Sequence, residues 1–275
     1  MKARILAYHR VCEEAAPGLA TWSVRPAVFR RQMRLLKKFG YTGVPVNALL
    51  DAVEGGDSDA KLVGISFDDG YLDTVANALP ILAEVGFGAS VYVVPDAVGC
   101  ETHWEAPGAA APLASWSELR KLVDAGWEIG LHSRSHPARL DLLTGPELEL
   151  EVRGGLQRAP AQLGVAVETF AFPHGHYSDE ALALIERAGY RAALTRDPGV
   201  VRAATPRFKL PRYEIKRRDS LLEFAFLMLT GVALRRRSTF LRLFPASLKG
   251  LSRVPGRQPV PADATPIEDR TQDAA

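Results

Sequence analysis

The feature of this sequence that most constrains its fold is a repeated alternation of short β-rich runs with helical runs. In residues 28–39, for example, four large apolar side chains lie three or four positions apart, and Gly40 follows as a stop signal. Strands that alternate with helices favour a parallel sheet wound by right-handed crossovers, and this many units in about 200 residues predict a closed or nearly closed β/α barrel. The predicted strands are 4–9, 62–67, 89–94, 127–131, 169–172 and 191–195.

Between the strands, the same periodicity predicts further helices at 75–85, 117–125, 146–163 and 178–188. After Tyr213 the alternation fades, and residues 221–244 are typical of one or two basic amphipathic helices. The last residues contain four prolines and almost no large apolar side chain, which predicts disorder. We therefore expect three parts: a barrel over 1–220, a basic helical extension over 221–252 and a disordered tail over 253–275.

Composition excludes several protein classes and draws attention to charge. The 275 residues are 47% hydrophobic and 24% charged, which excludes wholesale disorder, collagen and coiled coil. The net charge is only +2, so nothing global indicates a nucleic-acid partner. Residues 207–257 nevertheless carry +10 and the rest of the chain carries −8. This segment could form a helix on an anionic membrane, or a helix that caps the barrel with its cations in water.

Cysteine use and the chain ends bear on location. Cys12 and Cys100 stand alone and far apart, so reduced thiols in a reducing compartment are the expectation. The mostly apolar run 5–9 is too short for a secretory signal, and Glu223 interrupts the most apolar later stretch, 221–234, which is too short to span a bilayer. We predict a cytoplasmic protein, with peripheral contact at the inner membrane face as an open alternative.

Two adjacent acids end the second predicted strand. Asp68 and Asp69 directly follow an apolar run, and Gly70 permits a tight turn. Because consecutive side chains at a strand end point in different directions, one carboxylate could bind a metal while the other acts as a base. The alternative is an Asp-Gly turn that carries two surface acids.

Two histidines follow another predicted strand. His132 and His136 are four positions apart and could converge on one cation if the backbone turns helically after the strand. Neutral imidazole is a common zinc ligand, and two imidazoles with one aspartate leave positions open for water, as catalytic sites require. A histidine pair at this spacing is, however, often incidental.

A third segment, 169–177, is a strand that runs into Pro173, His174 and Gly175. Such a turn can direct a backbone N–H into the mouth of a barrel, where it would stabilise an oxyanion. The alternative is a turn in which Pro and Gly serve geometry alone and His174 and His176 are exposed.

Taken in order, the segments YHRV (8–11), SFDDG (66–70), HSRSH (132–136) and FAFPHG (170–175) resemble those of the polysaccharide deacetylases. These carbohydrate esterases share the nodulation-type chitooligosaccharide deacetylase domain, and the resemblance covers roughly residues 1–220. The FAFPxG form, with the late run LPRYEI (210–215), is similar to a branch associated with extracellular and capsular polysaccharide loci.

The resemblance implies a distorted (β/α)7 barrel and metal-dependent hydrolysis of an N-acetyl group on an amino sugar, by a metal-activated water. Asp68 matches the general base of the family. Asp69, His132 and His136 match its metal ligands, with zinc as the first choice among divalent ions. The backbone N–H of His174 matches the oxyanion position.

The sequence departs from the family pattern in two places. No histidine lies beyond His176 to protonate the leaving amine, and Ala171 stands where the family often has an arginine that orients the base. The acid is therefore hypothesised to be His9 or protonated Asp68, although His9 could equally be a hydrogen-bonded core histidine.

Three functions remain open at this point: an N-deacetylase acting on a polysaccharide or glycolipid, an O-deacetylase of the same fold, and a glycan-binding protein with impaired catalysis. A glycosidase is disfavoured because two acids on one turn cannot easily flank a sugar ring. A nucleic-acid partner is disfavoured because the basic segment lacks interleaved aromatic residues or a recognised motif.

Overall fold

The structure is a computed structural model and describes residues 2–56, 61–106 and 108–233. The predicted tail 253–275, and the predicted extension beyond residue 233, lie outside the described residues. The strands are β1 (Arg4–Tyr8), β2 (Arg10–Val11), β3 (Ser23–Val24), β4 (Thr42–Val44), β5 (Leu62–Phe67), β6 (Ser90–Val93), β7 (Glu128–Leu131), β8 (Thr169–Ala171), β9 (Ala192–Leu194) and β10 (Tyr213–Glu214).

Eight of these strands form one parallel sheet. Its order is β10-β1-β5-β6-β7-β8-β9, and β4 pairs beside the first half of β5. The two ends of this order approach each other, because Leu210 bridges Leu194 of β9 while β10 pairs with β1. The sheet therefore curls into the predicted distorted (β/α)7 barrel. The segment 210–214 completes the ring.

The barrel strands are buried on both faces, as parallel strands covered by helices must be. All four residues of β6 are buried, as are the last four of β1 and the last five of β5. The helices that cover them are α1 (Pro26–Lys38), α2 (Val46–Glu54), α3 (Leu79–Val85), α4 (Trp116–Asp124), α5 (Gly145–Arg153), α6 (Arg158–Leu163), α7 (Asp179–Arg187) and α8 (Leu221–Thr230).

One predicted helix was wrong. The expected single helix 146–163 is two helices, α5 and α6, which are separated at Gly154 and Gly155. A Cβ atom at Gly155 would lie 2.7 Å from Pro95 and 2.8 Å from Leu131. The chain breaks the helix here because only a residue without a side chain can approach the sheet so closely.

The predicted helix 75–85 also differs from a regular α-helix. It begins with a π-helical turn, Thr74–Ala78, before α3 starts. Pro80 lies in the first turn of α3 and has no N–H to donate, so the regular α-helical hydrogen bonding cannot run through it.

The start of the predicted basic extension is a helix packed on the barrel. Phe224, Leu227 and Met228 of α8 are buried, and the Tyr41 hydroxyl after α1 donates to the Met228 carbonyl at 3.0 Å. Within the described residues, no helix combines the length and apolar character that crossing a bilayer requires.

Candidate active site

The predicted site residues meet in one cavity at the carboxyl ends of the barrel strands. Asp68 and Asp69 follow β5, His132 follows β7, and His174 follows β8. This is the face where β/α barrels gather catalytic side chains. The cavity is lined by His9, Trp22, Asp68, Asp69, Tyr71, Trp104, Glu105, His132, His136, His174 and Arg196.

Asp69, His132 and His136 form a buried cluster that could hold a metal ion. Asp69 Oδ1 lies 3.4 Å from His132 Nε2 and 3.3 Å from His136 Nε2. One ligand atom from each residue lies within 4.8 Å of the others. Asp69 Oδ1 is buried and has no hydrogen-bond partner. Burial would raise the pKa of Asp69, but the adjacent imidazoles reverse this and hold it below its usual range.

The orientation of His132 suits a metal ligand. Its Nδ1 lies 2.7 Å from the Ala171 carbonyl oxygen, and because a carbonyl only accepts, this nitrogen donates its proton and Nε2 is left with a lone pair. Burial and the neighbouring His136 lower the pKa of His132 to about 4, against the opposite effect of the two aspartates. At neutral pH the ring is therefore uncharged, which is the form that binds metals.

The turn that carries both histidines is held by Glu151, a residue that the sequence analysis missed. Its carboxylate accepts hydrogen bonds from the Arg134 N–H at 3.1 Å, the Ser135 N–H at 2.9 Å and the Ser135 hydroxyl at 2.6 Å. Glu151 is buried on the same face of α5 as Leu148 and Val152. The sequence did contain a signal for Glu151, because an acidic residue stands there at a position where the helical periodicity calls for an apolar side chain.

Backbone strain is concentrated at this site. Within the described residues, only Asp69, Ser133, His136 and His174 combine a side chain with a positive φ, at 70°, 60°, 63° and 54°. Such conformations cost about 1–3 kcal/mol each and persist only where the surroundings enforce them. All four belong to the three predicted motifs, and three of them, Asp69, His136 and His174, line the cavity.

Asp68 lies beside the metal cluster but has a different partner. Arg212 binds both of its oxygens, Nη1 to Oδ1 at 2.7 Å and Nη2 to Oδ2 at 2.8 Å. The Arg212 guanidinium also donates to the Thr195 carbonyl at 3.0 Å and to the Ser66 hydroxyl at 3.2 Å. Burial would raise the pKa of Asp68, but Arg212, together with His132 and His9, reverses this and lowers it.

An arginine lies beside Asp68 even though Ala171 stands at the position where the family often has one. The chain lacks an arginine in the third motif, but Arg212 takes the place beside Asp68 from the segment that closes the barrel, 144 positions away in sequence. The run 210–215 was visible in the sequence, yet nothing in it showed which acid its arginine would meet.

The third motif forms the predicted turn at the cavity rim. Pro173–Gly175 is a single 3-10 turn, and the carbonyl of His174 accepts a hydrogen bond from Arg196 Nη1 at 2.9 Å. Arg196 also pairs with Glu214. The His174 side chain is exposed at the rim, and its ring lies 4.7 Å from that of His136. His176 is also exposed.

Aromatic rings form the walls of the cavity, and none of them was predicted. The Trp104 ring stacks on His136 with 4.3 Å between centroids, and Trp22 lies 4.9 Å from His9. Arg196 and Lys216 place their cations 5.1 Å and 4.6 Å from the centre of the Trp22 ring. Among the described residues, the buried Nδ1 of His9 has no hydrogen-bond partner.

Several known proteins are similar to this chain in sequence or in structure. The Bacillus subtilis protein YxkH, which carries a polysaccharide deacetylase name, is 24% identical over 68% of this chain, and the match spans 63% of YxkH. A Staphylococcus aureus poly-beta-1,6-N-acetyl-D-glucosamine N-deacetylase is 21% identical, over 75% of this chain and 76% of that protein. The Streptococcus pyogenes deacetylase PplD, solved in complex with acetate, superimposes with a TM-score of 0.71 at 25% identity, over 83% of this chain and 98% of that one.

The family model for polysaccharide deacetylases matches residues 55–193, just over half of the chain. This range contains the two aspartates, the histidine pair and the third motif. The chain belongs to the polysaccharide deacetylase family.

Proposed function

We propose that this protein is a metal-dependent hydrolase that removes N-acetyl groups from the amino sugars of a polysaccharide or glycolipid. The observation that carries the proposal is the pairing of two sites in one cavity: a cluster of Asp69, His132 and His136, and beside it the carboxylate of Asp68, held by Arg212. The name of the S. aureus relative supports N-acetylated glucosamine polymers as the substrate class.

The cluster fits a divalent metal ion. Ligand atoms about 2.1 Å from a tetrahedral zinc ion lie about 3.4 Å apart, close to the observed 3.3 Å and 3.4 Å from Asp69 Oδ1 to the two imidazoles. One carboxylate and two imidazoles also match the donor set of catalytic zinc sites. When bound, such an ion lowers the pKa of a water molecule and polarises a carbonyl oxygen.

Asp68 is suited to accept the proton of the attacking water. Its lowered pKa keeps it ionised at neutral pH, and it is one residue from the cluster yet turned toward Arg212. The two-pronged contact with Arg212 fixes the plane of the carboxylate, so that its geometry is set before substrate arrives.

The His174 N–H is proposed to stabilise the oxyanion that forms on the acetamide oxygen. The turn carries a φ of 54° at His174, and Arg196 binds the carbonyl of the same residue, so the peptide units around it are held in place. The rings of Trp22, Trp104 and Tyr71 line the cavity and form its apolar wall, as is usual for a ligand pocket.

A direct test measures acetate release by zinc-loaded and chelated protein. The substrates are a β-1,6-linked N-acetylglucosamine oligomer, a chitooligosaccharide and an O-acetylated glycan. We expect zinc-dependent release from at least one N-acetylated substrate. Release from the O-acetylated glycan alone would identify an O-deacetylase, and binding without any release would identify a glycan-binding protein; either result contradicts the proposal.

His9 is proposed as the acid that protonates the departing amine, with protonated Asp68 as the alternative. His9 lines the cavity, and within the described residues its Nδ1 has no hydrogen-bond partner. His9→Ala should lower the rate of acetate release about 100-fold or more, because a positioned acid contributes on this scale. His176→Ala removes an exposed imidazole and is the control. Wild-type turnover by the His9 variant would leave Asp68 as the acid.

The cytoplasmic location and the peripheral contact with an anionic membrane stay predictions. Two features support them: both cysteines are free thiols, and Leu222 and Leu229 of α8 are exposed. Cell fractionation of the full chain at low and high salt would test both.

A further inference from the structure

A second concave surface lies beside the catalytic cavity, and it is rich in arginine. We call it the arginine groove, lined by Pro17, Ala20, Thr21, Arg25, Val28, Arg31, Arg217, Arg218, Asp219, Ser220 and Leu221. The 3-10 turn Ala20–Trp22 separates the two surfaces: Ala20 and Thr21 line the groove, while Trp22 lines the cavity. The groove therefore begins one residue away from the wall of the catalytic cavity.

Three guanidinium groups of the groove have no carboxylate partner. Across residues 2–56, 61–106 and 108–233, no acid lies within ion-pair distance of Arg25, Arg31 or Arg218, and all three are exposed. On the same helix α1, by contrast, Arg30 and Arg34 both pair with Glu84.

The fourth arginine builds the groove wall. Arg217 donates to the Glu13 and Ser23 carbonyls at 2.8 Å and 3.0 Å and so ties its loop to the start of the chain. The lining contains one acid, Asp219, whose carboxylate accepts the Lys216 N–H at 2.8 Å. The positive charge of the groove therefore remains largely uncompensated.

A helix end adds to this positive field. α1 begins at the groove with Arg25 as its N-cap residue, and it has no capping side chain and no acid in its first turn. The partial positive charge at a helix N-terminus favours anions, and here it adds to the unpaired guanidinium groups. Arginine clusters of this kind bind phosphate or carboxylate groups through paired N–H donors.

We propose that the arginine groove binds a phosphate group carried by the same glycan whose acetamide is cleaved. The inference deepens the proposed function and rests on it. A glycan chain is favoured over a bilayer surface because the groove is concave and shares the turn Ala20–Trp22 with the catalytic cavity. One sugar chain that crosses Trp22 would occupy both surfaces.

The test is a binding measurement that does not depend on turnover. Isothermal titration calorimetry compares a β-1,6-linked N-acetylglucosamine pentamer that carries a terminal phosphate with the same pentamer without it, on zinc-loaded full-length protein. The groove variant is Arg25→Gln/Arg31→Gln. The matched control, Arg187→Gln/Arg202→Gln, removes the same charge from two exposed arginines outside the groove.

We expect the phosphorylated pentamer to bind about tenfold more tightly than the neutral one, with an advantage that shrinks as salt is raised. The groove variant should lose this advantage and the control should keep it. Equal affinity for both pentamers, or an equal loss in the control, overturns the proposal.

Vesicles of phosphatidylcholine and phosphatidylglycerol form the second arm. If the groove variant loses vesicle co-sedimentation but keeps the preference for the phosphorylated pentamer, the groove faces a membrane and the proposal is overturned. Phosphate-dependent binding without any acetate release would instead contradict the proposed function and leave the anion site standing.

Discussion

Two adjacent residues that follow β5 line the same cavity and have different partners. Asp69 faces two imidazoles, and among the described residues one of its oxygens has no hydrogen-bond partner. Asp68 has both of its oxygens bound by Arg212, and both aspartates are buried. After their proposed roles, we call the surroundings of Asp69 the metal corner and those of Asp68 the base corner.

The comparison shows that two buried carboxylates of the same residue type have different partners, and their proposed roles follow from this difference. Each carboxylate has its pKa lowered against the cost of burial, by His136 and His132 at Asp69 and by Arg212, with further effects from His132 and His9, at Asp68. A carboxylate beside two imidazoles can share a cation with them. A carboxylate paired with a guanidinium remains ionised, as a base must be before it takes up a proton.

The largest expected effect separates the two corners directly. Asp68→Asn should lower the rate of acetate release by about 100-fold to 10,000-fold, as expected for loss of a general base, while zinc binding is retained. Asp69→Asn should instead abolish zinc binding, because it removes an anionic ligand. Acetate assays and zinc titrations on both variants check this, with circular dichroism as the folding control. Loss of zinc in the Asp68 variant would contradict the assignment of the corners.

A second prediction removes the cation of the base corner. Arg212→Met leaves Asp68 buried without a partner, so the free energy of unfolding at pH 7 should fall by about 3–5 kcal/mol. The double variant Asp68→Asn/Arg212→Met should recover much of this loss, because no unpaired charge remains. Urea denaturation measures all three proteins.

The loss of unfolding free energy in the Arg212→Met variant should also depend on pH. In the wild type the folded-state pKa of Asp68 is depressed, so its stabilising contribution is present above the unfolded pKa and is lost as pH falls through the folded pKa. In the Arg212 variant, burial raises the pKa of Asp68 without an opposing guanidinium. The loss of unfolding free energy therefore grows as pH rises and Asp68 ionises. The difference between the two proteins should therefore shrink below about pH 4. A difference that stays constant with pH would show that lost packing, not charge, causes the deficit.

The smallest expected effect concerns support of the metal corner. Glu151→Gln replaces an acceptor of three hydrogen bonds with an amide, so the turn from His132 to His136 loses part of its hold. Zinc affinity should fall about 10-fold to 100-fold, as is common for residues that orient metal ligands. Competition with a chromophoric chelator measures it. Glu149→Gln, on the exposed side of the same helix, is the control and should leave affinity unchanged.

The metal corner could be predicted because it depends only on which residues directly follow the strands. The carboxyl ends of parallel strands gather at one face of a β/α barrel, so acids and histidines placed directly after predicted strands must be neighbours. The structure places Asp69, His132 and His136 together for this reason. The periodicity of the strands was sufficient to predict the barrel. The break at the glycines between α5 and α6 could not be predicted in this way, because it depends on the close approach to Pro95 and Leu131.

The base corner and the arginine groove could not be predicted in the same way. Arg212 meets Asp68 because the segment 210–214 closes the ring, and Arg25 and Arg31 share a groove with Arg218 because α1 and α8 pack side by side. Which charge finds which partner depends on these long-range arrangements.

The sequence by itself determined the alternation of strands and helices and the residues placed at the strand ends, because hydrophobic periodicity and turn chemistry act over a few positions. Only the tertiary structure decided that Asp68 has a cation while Asp69 has imidazoles, and that no acid of the described residues lies within ion-pair distance of three arginines. The physical reason is that electrostatic partnership depends on distance in space and on burial, and neither can be measured along the chain.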